Sequence, residues 1–208
     1  MTTFVTPITH GTSLTRVVPS LAVPALRFAD DPVMWIRMPA STSVAAFATG
    51  AVARHDDTTN PFPALTGSAA GPWTLFQLSP LPQMNPAAFK AIAGGLPVQL
   101  VVVVGTVPAS PASNDCLVAG QTLAPAPGGT GAVFLAFAFQ DRLCRDPLSW
   151  AEAIAASGAC DGNWAQFVTD LAGLPAARNL RILDGRGFPR TTGTVSVSID
   201  GGPVTSHP

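Results

Sequence analysis

Charge is what this sequence has least of. Its 208 residues hold 11 Lys and Arg against 12 Asp and Glu, so 11% of the chain is charged and the formal net charge is -1. Ordinary globular chains carry about 25% charged residues. A surface with so few ionic groups suggests cover by copies of the chain or a partner, and an Ala/Pro/Gly-biased genome that thins out Lys and Tyr accounts for it equally. The near-zero net charge excludes attraction of nucleic acid by a global positive field, so any such contact has to be local. Tyrosine is absent. Lysine is down to Lys90, which leaves the cationic chemistry to ten arginines, planar donors suited to bidentate contacts.

Cysteine is scarce too. Cys116, Cys144 and Cys160 contain no CxxC pair, which excludes a disulfide framework and a zinc-ribbon spacing. No apolar run is long: "VQLVVVVGTV" and "AVFLAFAF" fall far short of the roughly 20 residues a membrane-spanning helix needs. The opening "MTTFVTPITHGTSLTR" lacks the charged and apolar regions of a signal peptide. The expectation is a soluble, intracellular protein with reduced thiols and no membrane partner.

What the chain has in plenty is punctuation. Its 21 Pro and 19 Gly recur throughout, which breaks long helices and favours short strands joined by irregular loops. Short strands are expected in "VMWIRM" (33–38) and "PWTLFQLS" (72–79), and in "SVAAFATGAVA" (43–53) a strand with a helix as the alternative, with "ARHDDTTNPFP" as a loop. "LPVQLVVVVGTV" (96–107) and "AVFLAFAF" (132–139) are apolar on both faces, as strands buried on both sides are. A loop of about twenty residues separates them, a length usually tied to function or to packing elsewhere. Helices are expected in "NPAAFKAIAGG", in "PLSWAEAIAAS", and in "GNWAQFVTDLAG". The last places Trp164, Phe167, Val168 and Leu171 on one stripe. "NLRILD" and "TGTVSVSID" read as a closing hairpin. The whole reads as mainly β with short helical insertions in one domain, 1–208, with a flexible N-terminal arm over 1–13 and a tail over 201–208. The expected form is a β-sandwich of jelly-roll type. The alternative is α+β, an antiparallel sheet with helices on one face.

Chemistry is thinly signalled. His55, Asp56 and Asp57 are the one cluster of His with carboxylates, and a loop could turn them toward a divalent metal in a metal-dependent enzyme or a ligand-binding sandwich. Ordinary turn chemistry explains "RHDDTTNP" as well. Cys144 lies between Arg142 and Arg145, which favour a thiolate. Its His partner would be His10, His55 or His207, all in expected loops, so it reads as a small buried apolar residue. "PGGTGAVF" evokes a phosphate loop, but a coil precedes it and a strand follows, and no nucleotide cofactor is implied. No GxSxG elbow is present. The expectation is no catalysis and no cofactor.

The arginines remain. Arg178, Arg181, Arg186 and Arg190 crowd into "RNLRILDGRGFPR", and Arg142 with Arg145 forms a second pair. The guanidinium fork matches phosphate oxygens, so these six are the candidate RNA contacts. A hairpin tip kept soluble by charge is the plainer alternative.

The texture also carries a resemblance. "VPSLAVPALRF" and "VSVSIDGG" resemble segments of jelly-roll viral coat proteins. "VPASPASND", "LAPAPGG" and "MPASTSVAAF" are similar in composition to the proline-alanine-serine-rich proteins that coat polymycovirus RNA. The resemblance implies a self-associating structural protein that contacts RNA, placed in host cytoplasm or virion. It covers no diagnostic motif, and "MTTFVTPITHGT" has no Lys or Arg where coat proteins often carry a basic arm. A host-directed interaction module that docks through "PASPASND" is a further alternative.

Overall fold

In the computed structural model the described residues are 3–17, 35–59, 70–81, 98–129, 132–139, 147–174, 195–197 and 205–207, with Gln83 and Ala87. The strands are β1 (Thr15–Val17), β2 (Trp35–Pro39), β3 (Val44–Ala45), β4 (Gly50–Thr59), β5 (Ala70–Pro80), β6 (Val98–Val104), β7 (Cys116–Leu117), β8 (Thr122–Ala124), β9 (Ala132–Phe139), β10 (Val195–Val197) and β11 (Thr205–His207). Among the described residues two helices have defined bounds, α1 (Pro147–Ala156) and α2 (Trp164–Ala172). The protein is mainly β with short helical insertions, as its sequence indicates.

Seven strands form one antiparallel sheet in the order β1-β2-β9-β6-β5-β4-β7. The two most apolar strands, β6 and β9, are central and pair with each other, Val102 opposite Leu135, and the one polar residue of β6, Gln99, is hydrogen-bonded to Gln77 and Ser79. Strand alternation sends their side chains both ways. Leu100, Val102, Val104, Val133 and Leu135 point to one face and join Ile36, Met38, Phe76 and Leu78 in the main core. Val101, Val103, Phe134 and Ala136 point to the other face and are also buried. Burial on both faces is why these strands show no polar alternation. At about 1.5–3 kcal/mol for each large side chain fully removed from water, this centre outweighs any surface contribution.

Helices α1 and α2 close the main core. Ala151, Ile154, Trp164, Phe167 and Leu171 pack in the same cluster as the sheet residues. The expected stripe is seen, with Trp164, Phe167 and Leu171 buried and Val168 partly so. Trp164 Nε1 donates to the Ala151 carbonyl at 2.9 Å, fixing one helix on the other. The described helices α1 and α2 pack with one face of the large sheet, and its other face is buried as well at Val101, Val103, Phe134 and Ala136. Strands β3 and β8 form a separate two-stranded ribbon.

Four expectations change. The N-terminal arm is not free: Phe4 is fully buried and stacked on Phe47 with centroids 6.0 Å apart, and Ile8 is buried. An apolar residue every few positions in "TFVTPI" lets the segment fill a groove instead of extending into solvent. "RHDDTT" is not a loop but the second half of β4, paired with β5 from Gly50–Pro80 to Thr59–Ala70. A long apolar partner strand imposes that register over weak local preference. The expected twenty-residue loop contains β7 and β8. Finally, Thr205–His207, in the expected tail, pairs with β10 at Val195–His207. "NLRILD" and nearly all of the helix expected in "NPAAFKAIAGG" lie outside the described residues.

Candidate functional site

Placing His55, Asp56 and Asp57 on a strand decides what they can do. Successive side chains on a strand leave opposite faces, so the three cannot converge on one ion. Asp56 goes to the side of Val52 and Phe76, and His55 and Asp57 go to the other.

Asp56 belongs to an arginine clamp. Arg54 Nε donates to Asp56 Oδ1 at 3.0 Å, and Arg54 Nη2 donates to Oδ2 at 3.0 Å. Thr74 Oγ1, across the ladder, donates to Asp56 Oδ1 at 2.8 Å. The guanidinium lies 5.7 Å from the Phe76 ring centroid and donates through Nη1 to the Pro111 carbonyl. Ser113 completes the fixture: its Oγ accepts from Arg54 N and donates to Arg54 O. This holds segment 111–115 along the β4 edge, where Val52 N donates to Asp115 O and Asn114 N donates to Val52 O. The "PASPASND" segment is therefore a fixed surface. Sequence reasoning missed Arg54; the signal was the Val-x-Arg-x-Asp alternation in "GAVARHDD".

His55 and Asp57 make an exposed pair, Nε2 to Oδ2 at 3.8 Å, with both side chains about half accessible. The described residues include no group of three or more His, Cys, Asp or Glu able to hold a metal. Two groups on one exposed strand do not make the metal centre considered from the sequence.

The second ionic fixture ties the N-terminal segment to α2. His10 Nδ1 and Asp170 Oδ2 lie 3.0 Å apart. The Asp56 carboxyl is held below the ordinary value of 3.8 because hydrogen bonding from Arg54 outweighs desolvation, with Thr74 adding to it. For Asp170 desolvation pushes upward, but hydrogen bonds from His10 and Gln166 more than offset it, and the net direction is down. Both groups contribute stability that is present above about pH 4 and lost as pH falls through their lowered folded values. Solvent screening keeps each under about 1 kcal/mol. Asp56→Asn is expected to flatten part of the acid limb in a plot of unfolding midpoint against pH. An unchanged limb would remove the clamp as its source.

Neither thiol in the described part suggests a nucleophile. Cys116 is exposed at the sheet edge, and burial pushes the Cys160 thiol up, away from thiolate. Cys144 and the candidate phosphate contacts Arg142, Arg145, Arg178, Arg181, Arg186 and Arg190 lie outside the described residues. Arg37, on β2, is exposed.

The feature that does stand out is the surface over 105–129. These 25 residues contain one charged side chain, Asp115, where about six would be ordinary. They are pinned along their length: Ala112 N to Asp115 Oδ2, Val118 N to Gln121 Oε1, Gly120 N to Ala46 O, Ala126 N to the Ser43 hydroxyl, and Gly128 N to Ala40 O. Val107 and Val118 are exposed, at 48% and 58%. A scan against protein-family models matches none, and a search of curated proteins finds no significant relative.

Proposed function

We propose that this chain is a self-associating structural protein of coat type, with sequence-independent RNA contact through Arg142, Arg145, Arg178, Arg181, Arg186 and Arg190. The observation that carries the self-association is the 105–129 surface. It is long, hydrogen-bonded into place, nearly free of charge, and tipped by two exposed valines. A fixed neutral surface loses little conformational entropy on docking and has few charges to desolvate. The RNA half rests on the arginine spacing and on the compositional resemblance.

Size-exclusion chromatography with light scattering, read with the 260/280 absorbance ratio, tests both halves. Oligomers are expected, and a monodisperse monomer at high concentration would overturn the assembly. Retention of single-stranded RNA is expected at low salt, with log affinity falling against log salt by about 0.7 per phosphate neutralised. Reversing Arg181, Arg186 and Arg190 to Glu should abolish it, and no retention by the unaltered protein would remove the RNA half. Val118→Asp is expected to weaken self-association about tenfold, roughly 1.4 kcal/mol. An unchanged dissociation constant would move the contact away from this surface.

A further inference from the structure

We propose that the groove formed by Ala45, Phe47, Ala159, Cys160 and Asp161 is a docking site for the N-terminal segment of a second copy, occupied within a single chain by its own residues 3–10. This rests on the self-association reading and names a contact that would carry it.

The segment is bound as an added strand would be. Thr3 N and Phe4 N donate to Ala159 O at 2.7 and 3.0 Å, and Asp161 N donates back to Phe4 O at 2.9 Å. On its other side Val5 N donates to Phe47 O and Ala45 N donates to Pro7 O. Main-chain bonds of this kind give affinity, and alternate side chains in pockets give specificity. Phe4 supplies the apolar anchor against Phe47. Thr6 supplies the polar one, donating to Asp161 through both its backbone N (2.9 Å) and its hydroxyl (2.7 Å). Residues 1–13 contain no Lys, Arg, Asp or Glu, so His10 is the one ionisable side chain that the segment carries between copies.

The link to the rest of the fold is short. Between Ile8 and β1 the chain turns at Thr9–Thr12, where Thr12 N and Oγ1 both donate to Thr9 O, and Gly11 sits at φ +81° with open space around it. The groove lies between the β3–β4 connection and the α1–α2 connection, whereas β1 is the far edge of the sheet. The turn is itself held to α2, through His10 Nδ1 and the Gly11 backbone on Asp170, so redirecting the segment releases those bonds and the second copy's Asp170 remakes them. Closed and exchanged forms then make the same bonds, and local concentration decides between them. An effective concentration in the millimolar range within one chain leaves about 1% exchange at 10 μM protein. Neighbours held together in an assembly raise that to a comparable share.

The test uses the full chain with Cys116, Cys144 and Cys160 replaced by Ser. Thr6→Cys and Asp161→Cys are placed in one chain or in two separately purified proteins. The double variant should form an intrachain disulfide, and its failure to do so would overturn the docking contact itself. The mixed single variants should accumulate a covalent dimer that grows with time and concentration, and no dimer would overturn the exchange. His10→Cys mixed with Asp170→Cys and bridged by a short bis-maleimide repeats the test at a second pair, where solvent screening keeps the loss to stability small. Light scattering on the unaltered protein separates the two readings. Oligomers without cross-linking would sink exchange and leave self-association standing.

Discussion

Trp164→Ala is expected to lower the unfolding free energy by about 3–5 kcal/mol, seen as a shift of the denaturant midpoint with an unchanged slope. Trp164 is fully buried, and its ring meets Phe167 edge-on at 5.5 Å and 78°. It also joins α2 to α1 through the hydrogen bond to Ala151 O. Truncation leaves a cavity between α1 and α2, beside Phe167 and within the main core cluster. No described segment is placed to collapse into it, since α2 is fixed at its start by the Asp161 turn and at its end by the Gly173 cap. Trp164→Phe keeps most of the apolar surface and loses the N–H, so about 1–2 kcal/mol is expected. A Trp164→Ala protein as stable as the parent would mean that the helices do not cover the sheet.

How much of this was legible follows from how local each signal is. β6 and β9 announce themselves because a strand buried on both faces needs a nearly continuous apolar run, broken in β6 by Gln99 alone, and α2 because one stripe of four residues faces the core. β7 and β8 are two and three residues long and exist only through partners far away in sequence, Ala51–Cys116 and Val44–Ala124. Nothing within "NDCLVAGQTLA" marks them. The polar half of β4 was hidden for a related reason. "RHDDTT" has the composition of a turn, and its strand form is imposed by β5 and by the Arg54–Asp56–Thr74 bonds. "TFVTPI" read as an arm because short segments with no charge and one proline look unstructured, although their pairing partner is about 155 residues away at Asp161. The chemistry of His55, Asp56 and Asp57 changed with that register: a loop could gather them, and a strand separates them.

Gly50→Ala is expected to cost about 2–3 kcal/mol, at the upper end of overpacking substitutions. Gly50 opens β4 between two partners, Pro80 of β5 and Leu117 of β7. A Cβ there would stand 2.6 Å from Ser79 O and 3.0 Å from Pro80 Cα, both backbone atoms that have no rotamer to change. Relief requires β4 and β5 to separate where β7 joins, which strains the bonds between Val52 and residues 114–115. Hydrogen exchange should show Val52 and Asn114 losing protection together. Gly11→Ala is the control, because its φ of +81° costs about 1–2 kcal/mol of backbone strain while nothing lies within 4 Å of its Cβ. That variant should leave the exchange of Val52 and Asn114 unchanged. Unaltered protection in Gly50→Ala would show that the two strands do not approach this closely. If it is lost, the 105–129 surface loosens with it, and self-association should weaken in the same protein although the substituted residue is buried.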